Sequence, residues 1–424
     1  MQIMRPRRSS ERGAVVIQVA VCLLVLLAFT AFVLDYGVMW ASRGQAQTAA
    51  DAGALAGAIS LAFDSATDFA GARAKARAAA RENGVWGEAP DVQLTDITFP
   101  PCPPGAPGLP DTCVQVNAFR NQARGNALPM FFGNLVGVSS QGVRATATAQ
   151  IVTGDTTECL KPWAVIDRWD EFEGAEPDYP GPDPDFDSNS TFDRYSTGQG
   201  NDPPQEDDLY VPPSASSSGT GFQLPQDEGT QFTIKVGANG GNSVSPGWFR
   251  AIDLPRTDTT NLGAQAYSAN ITSCNGFPSS YASPETVCPA DIGNGEEAFW
   301  AARGCYRVQT GNMVGPTRMA VEELIARDPG ASWGGSPAGI VGSAFSPATS
   351  SPRVVPVGLL DIDAYLAPDP TGANGIVRLV NIFGFFIEST NGQTVVGRVL
   401  TIPALGRSNL TASASFLRSI VLVR

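Results

Sequence analysis

The chain has 424 residues, and 41 acidic against 28 basic side chains give it a net charge of −13. It contains no histidine, which excludes imidazole as a catalytic base and argues against zinc sites and Ser-His-Asp hydrolysis. Such an acidic chain also lacks the basic face that nucleic-acid binding requires. With 45 glycines and 33 prolines, the composition favours a loop-rich β body over a helical bundle.

The N-terminal residues predict a membrane anchor. Residues 5–12 read RPRRSSER, and residues 14–34 that follow carry no charge. As a helix, this run would span about 31 Å, close to the thickness of a bilayer core. Because basic residues stay on the cytoplasmic side, we expect a cytoplasmic N-terminus (1–13), a single-pass transmembrane signal anchor (14–36) and an extracytoplasmic body. A cleaved signal peptide is the alternative, but the apolar run is longer than such peptides usually carry.

Small residues continue the predicted helix to about residue 61. Residues 43–58 read RGQAQTAADAGALAGA, with alanines recurring at every fourth position and glycines beside them. Such a face lets another backbone approach closely. The pattern predicts a helix interface, whose partner could belong to the same chain or to a neighbour; a helix packed on its own domain fits equally well. The residues of this interface are Ala46, Ala50, Gly53, Ala54, Gly57 and Ala58.

The remaining pattern predicts an α+β fold in three further parts. Residues 37–155 form a helical and α+β unit, with a second helix over 68–83 that ends at Asn83-Gly84, strands over 92–99, 114–119 and 143–152, and a short apolar segment, 127–136, that could be a helix. Residues 156–220 are acidic and rich in Pro and Ser, which predicts a linker. Residues 221–424 read as a β-rich domain, with one helix over 317–327 and strands over 232–236, 248–254, 354–361, 376–387, 394–402 and 416–423.

Cysteine usage is consistent with export. Cys22 lies in the predicted span, and the other cysteines lie beyond it. An even number in an exported region predicts disulfides, although the sequence allows many pairings; free buried thiols are the alternative for several of them. The strongest pair is the first two, which flank a Pro-rich turn. The candidates are Cys102, Cys113, Cys159, Cys274, Cys288 and Cys305.

Two motifs could carry chemistry. Residues 330–334, GASWG, match the G-x-S-x-G nucleophile elbow, but a predicted helix precedes them and no histidine is present; the segment is interpreted as a turn, and we expect no catalytic site and no enzyme. The acidic segment 183–193 alternates oxygen side chains, as a calcium loop does. It lacks the loop's glycine and terminal glutamate, so a solvated acidic loop is the alternative. Calcium is the one cofactor that the sequence leaves open, with Asp183, Asp185, Asp187 and Asn189 as its ligands.

The N-terminal signature resembles that of a known family. Arg12-Gly13-Ala14, Asp35, Arg43 and the block QTAADAGALAGA over 47–58 are similar to the Flp pilus-assembly proteins of the TadE/TadG group, the tight-adherence (Tad) system. The resemblance covers residues 12–60. It implies a non-catalytic component of pilus assembly or secretion in the inner (cytoplasmic) membrane, with a periplasmic or surface-exposed body. Its implied partners are the membrane, other Tad components and, through the N-terminal helix, further copies of itself. The alternative function is a membrane-tethered, extracytoplasmic ligand-binding or adhesion module, whose binding could depend on calcium.

Overall fold

The structure is a computed structural model. It describes residues 11–64, 67–102, 113–171, 186, 190–192, 208–235, 244–256, 263–283, 285–309, 313–335, 339–366, 375–408 and 410–423. The helices are α1 (Glu11–Phe63), α2 (Phe69–Glu82), α3 (Ala264–Thr272), α4 (Glu297–Ala301), α5 (Val314–Arg327) and α6 (Ile362–Leu366).

The strands of the first part of the chain are β1 (Ile97–Thr98), β2 (Cys113–Arg120), β3 (Leu128–Pro129), β4 (Ser140–Gln141), β5 (Val143–Thr153), β6 (Thr156–Thr157) and β7 (Trp163–Ile166). Those of the second part are β8 (Gln231–Lys235), β9 (Phe249–Ala251), β10 (Ser279–Ser280), β11 (Cys305–Arg307), β12 (Ser332–Gly334), β13 (Gly339–Val341), β14 (Val354–Leu360), β15 (Ile376–Thr390), β16 (Thr394–Leu400), β17 (Ile402–Pro403) and β18 (Leu417–Val423). The predicted α+β fold, with one long apolar helix at its N-terminus and a β-rich C-terminal part, is confirmed.

Helix α1 is one unbroken helix of 53 residues, which gives it a length of about 80 Å. Its first part exposes apolar side chains along its whole surface, whereas its second part is packed against α2 and against β2 and β5. The predicted helix over 14–61 is therefore confirmed. One rigid element leads from the apolar segment into the core of the body.

The first sheet lies beneath the second part of α1. Its strand order is β1-β2-β5-β18-β17, and β2 and β5 pair antiparallel from Cys113↔Gln150 to Arg120↔Val143. Valines and alanines of β2 and β5 face the helices, and together with the alanines of α1 and α2 they form one buried cluster. Small side chains on both layers let two helices lie close to the sheet.

The second sheet has seven strands and forms the core of the C-terminal part. Its order is β8-β16-β15-β14-β7-β9, and β11 also pairs with β15. Fifteen residues long, β15 is buried along most of its length, since apolar clusters cover both faces of the sheet. This explains the long apolar runs that predicted these strands, because a strand covered on both faces does not alternate with polar residues.

The domain boundaries differ from the expectation at two places. The segment expected to be a linker, 156–220, contains β7, whose four residues are all buried between β14 and β9. Its strand is too short, and too close to the acidic run, for a periodicity signal. In addition, β18 does not stay with the C-terminal sheet but pairs antiparallel with β5 of the first sheet. Pairing between segments so far apart in sequence leaves no local signal.

Two shorter elements also differ from the expectation. The segment 127–136 is not an α-helix: it contains β3 and a 3-10 helix, Gly133–Val136. In the predicted strand 92–99, only Ile97–Thr98 is a strand, and a 3-10 helix, Leu94–Asp96, precedes it. In the first segment Leu128 is buried whereas Phe131 and Phe132 are exposed, so these apolar residues do not share one buried helical face.

Candidate functional site

The first part of α1 has the properties of a membrane span. Among the described residues, α1 is the helix long and apolar enough to cross a bilayer. Its apolar side chains project outward without a partner in the chain, as Leu24 at 66% and Phe29 at 67% exposure show. A contiguous apolar surface of this length is not stable in water. Residues 15–34 are therefore a candidate single-pass membrane segment.

Asp35 marks the point where α1 meets the body. Its side chain is buried, with 5% exposure, and its carboxylate accepts hydrogen bonds from three consecutive backbone N–H groups: Phe131 (2.8 Å), Phe132 (3.1 Å) and Gly133 (2.8 Å). These N–H groups lie at the start of the 3-10 helix Gly133–Val136, where a carboxylate is favoured. The side-chain amide of Gln141 also donates to the Asp35 carbonyl at 3.4 Å. Asp35 thus fixes a loop of the body to the end of the span.

The small-residue face of α1 is buried inside the chain. Its four alanines have no exposed surface, and both of its glycines are buried. A Cβ added at Gly53 would lie 2.9 Å from the Ala80 Cβ, 3.0 Å from the Ala76 carbonyl oxygen and 3.2 Å from the Val116 Cγ1. Only glycine lets α2 approach this closely.

Gly57 makes the same kind of approach one turn further along α1. A Cβ there would lie 2.8 Å from the Val114 Cγ1 and 3.2 Å from the Ala76 Cβ. The face therefore contacts α2 and the first sheet at once. The sequence left open whether the partner helix belongs to the same chain or to a neighbour; in the structure it belongs to the same chain. Self-association through these six residues would require α2 to dissociate from α1.

Helix α2 is the partner that the sequence did not assign. Asp68 caps its N-terminus by accepting from the Gly71 N–H at 2.8 Å, and Ala72, Ala76 and Ala80 are buried on one face. These alanines recur at every fourth position, as the alanines of α1 do, so the signal was present in the sequence. It was obscured by four basic residues on the other faces of the helix.

The cysteines beyond the span are paired. The structure joins Cys102 to Cys113, the pair expected from the sequence, and also joins Cys159 to Cys274 and Cys288 to Cys305. The predicted disulfides are therefore confirmed, and free buried thiols, the alternative, are not found among these six. Cys22 is a free, exposed thiol in the candidate span.

Two buried charged groups flank β7. Lys161 donates to the carbonyls of Asn270 (3.3 Å) and Ser273 (2.9 Å) at the end of α3, and burial, together with the charge of Arg327, lowers its pKa to about 8. Both hydrogen bonds of Lys161 have a structural role, since their acceptors are backbone carbonyls at the end of a helix.

Asp167, at the other end of β7, accepts hydrogen bonds from the backbone N–H groups of Arg168 (2.8 Å) and Phe222 (3.1 Å) and from the Tyr210 hydroxyl (3.2 Å). Burial raises its pKa to about 7 despite these donors. Its contacts join three segments of the C-terminal part, which is a structural role.

Of the two motifs that could carry chemistry, the structure describes the serine motif and leaves the calcium candidates undescribed. Ser332 lies at the start of β12, in the segment that follows α5, so it is in a strand rather than the expected turn. A helix precedes it, which is not the strand-then-helix arrangement of a nucleophile elbow. The four calcium candidates, Asp183, Asp185, Asp187 and Asn189, lie outside the described residues, and the calcium site stays a prediction. Within the described ranges, no group of three or more His, Cys, Asp or Glu side chains is placed to hold a metal ion.

The sequence that forms α1 and α2 is similar to a known protein family. Residues 13–80 match the family model described as putative Flp pilus-assembly TadE/G-like. The N-terminal segment is TadE/G-like. The match confirms the resemblance drawn from residues 12–60 and extends it to Ala80, the last buried alanine of α2. The TadE/G-like segment is thus the candidate span together with the α1–α2 hairpin. A search of curated proteins found no match, and a search of solved structures found none.

Proposed function

We propose that this protein is a membrane-anchored structural component of Flp/Tad pilus assembly or secretion, and that it acts without catalysing a reaction. The proposal includes a single span in the inner membrane, with the basic N-terminus in the cytoplasm and the body in the periplasm or at the surface. It also includes other Tad components as partners. The TadE/G-like match over the anchor and the α1–α2 hairpin supports the assignment to this system.

One observation carries the structural role: α1 passes without a break from the apolar segment into the core of the body. The helix continues for 28 residues beyond Asp35, to Phe63, about 42 Å. A cleft beside its far end is lined by Leu61, Asp64 and Trp333, so the C-terminal part borders the end of α1 that is distant from the span. A body attached through a buried helix cannot rotate freely about its anchor, as it could on a flexible linker.

The orientation rests on charge. The arginines of residues 5–12 precede the span, and acidic residues dominate beyond it. Retention of basic residues in the cytoplasm then places the three disulfides outside the cytoplasm, where such bonds persist.

The experiment that tests this function uses the organism that encodes the protein. The gene is deleted and replaced by the full-length chain or by a form in which residues 1–34 are exchanged for a cleavable signal sequence, so that the body is exported without its anchor. Pili are counted by electron microscopy, and pilin is measured in the fraction sheared from cells. We expect the deletion to abolish pili, the full chain to restore them, and the released body to fail although it is exported. Normal pili in the deletion strain would refute the proposal.

The non-catalytic role has a separate test in the same strains. Ser332→Ala changes the one residue that matches a nucleophile motif, and we expect normal pili because Ser332 is an exposed strand residue after α5. Loss of pili with a normally folded Ser332→Ala protein would contradict a purely structural role.

A further inference from the structure

An apolar loop of the body lies beside the end of the candidate span. It joins β3 to β4, and we call residues 130–138 the exit loop. Phe131, Phe132 and Val138 are 58%, 38% and 47% exposed. Two phenylalanines and a valine are thus exposed on one loop of nine residues, and exposed apolar residues that occur close together are typical of a protein or membrane contact.

The position of the exit loop along α1 is fixed by hydrogen bonds. Three of its N–H groups are bound to the carboxylate of Asp35, one residue beyond the uncharged run. Further along, the Gln47 amide donates to the Thr146 carbonyl of β5 at 3.2 Å, about 18 Å beyond Asp35 along the helix axis. The first sheet thus extends away from the span along α1, and the exit loop, in the separate β3–β4 hairpin, lies nearer to the span than the Thr146 contact of β5 does.

Aromatic side chains of α1 are exposed at the same level. Phe32, Tyr36 and Trp40 form a stacked row, with ring centroids 5.9 and 6.4 Å apart, and all three are exposed. Aromatic residues are enriched at the boundary between lipid chains and headgroups. The row therefore marks this boundary independently of the exit loop.

The backbone N–H groups of the exit loop that face Asp35 are already hydrogen-bonded, as a medium of low polarity requires. Unpaired backbone N–H groups are costly in lipid, yet those of Phe131, Phe132 and Gly133 are already bound to Asp35. The same contacts satisfy the carboxylate with three donors. Partial insertion would therefore leave none of these four groups without a hydrogen bond.

We propose that the exit loop inserts Phe131, Phe132 and Val138 into the headgroup–acyl boundary of the bilayer that α1 spans. This rests on the proposed membrane anchoring. With α1 as one attachment and the exit loop as a second, the body has a fixed tilt and a fixed height relative to the membrane surface.

The test measures the membrane depth of spin labels on the full-length chain, reconstituted in phosphatidylglycerol/phosphatidylethanolamine vesicles. Cys22 is first changed to serine, and single labels are placed through Val138→Cys, Val25→Cys or Ile59→Cys. Val25 and Ile59 are both exposed on α1, inside the span and about 36 Å beyond Asp35, so they are the lipid and water references. Depth is read from the ratio of collision rates with oxygen, which concentrates in lipid, and with a water-soluble nickel chelate.

We expect this ratio to be several-fold higher at position 138 than at 59, and lower than at 25. Adding Phe131→Ser and Phe132→Ser should return position 138 to the value at 59, whereas Leu94→Ser, a change at another exposed apolar residue, should leave it unchanged. A value at 138 equal to that at 59, with position 25 in lipid, would overturn the exit-loop proposal alone. An aqueous value at position 25 would overturn the anchor, and the loop proposal with it.

Discussion

Substitutions at Gly53 measure how closely α1 and α2 must approach. A leucine Cβ there would overlap the Ala80 Cβ at 2.9 Å and the Ala76 carbonyl oxygen at 3.0 Å, and neither atom can move unless the α2 backbone moves. Overpacking of this kind costs about 1–3 kcal/mol, and more when backbone is displaced. Leucine gains up to about 1 kcal/mol over glycine in helix propensity. We therefore expect Gly53→Leu to destabilise the α1–α2 contact by about 2 kcal/mol.

The same helix provides a matched control. An added Cβ at Gly44 has nothing within 4 Å, so Gly44→Leu keeps the propensity gain without the overlap and should stabilise α1 by about 0.5–1 kcal/mol. The two variants should thus differ by about 3 kcal/mol although the residue change is identical. The sign of the effect should reverse along a single helix.

Hydrogen exchange of the full-length protein in detergent micelles distinguishes the effects of Gly53→Leu and Gly44→Leu. Amides of α2 should exchange about a hundredfold faster in Gly53→Leu than in Gly44→Leu, because each 1.4 kcal/mol is a factor of ten. Amides of β15, in the other sheet, serve as the internal reference and should not differ. Equal protection of α2 in the two variants would refute the close-approach reasoning.

Three further predictions follow from other contacts. Asp35→Ala should speed exchange of the three loop amides that lose their acceptor, with Asp35→Asn intermediate; unchanged exchange would contradict the exit-loop geometry. Removing the Cys159–Cys274 disulfide, whose cysteines are 115 residues apart, should lower the free energy of unfolding by about 4–5 kcal/mol. Removing Cys102–Cys113, whose cysteines are 11 residues apart, should lower it by about 3 kcal/mol, because closing a longer loop removes more entropy from the unfolded chain. Denaturant titrations of the two variants check this order. Because burial raises the pKa of Asp167 to about 7 from an unfolded value of about 4, the native state holds this proton more tightly. Stability should therefore fall as pH rises from about 4 to 7, by up to about 1.4 kcal/mol per pH unit from this group, and parallel pH curves for wild type and Asp167→Asn would contradict this.

Local chemistry determined much of this protein. The uncharged run and the alanines after it define α1, since an α-helix needs only hydrogen bonds between near neighbours. The stop signal Asn83-Gly84 lies at the end of α2, with Asn83 as its C-cap. The apolar runs of β14, β15 and β16 predict buried strands because their content does not depend on which strand lies beside them. The Pro-rich segment between Cys102 and Cys113 is short enough in sequence to indicate their pairing.

Only the tertiary structure decided which segments meet. The small-residue face of α1 fits any close neighbour, and the fold supplies α2. Asp35 finds its donors 96–98 residues away, and β18 finds β5 more than 250 residues from its own position. The four apolar residues of β7 were too short a run to predict a strand, and the fold places them between β14 and β9. The physical reason is the same in each case. Backbone hydrogen bonds and burial are favourable with any complementary segment, so the packing of the whole chain, and not the neighbouring sequence, selects the partner.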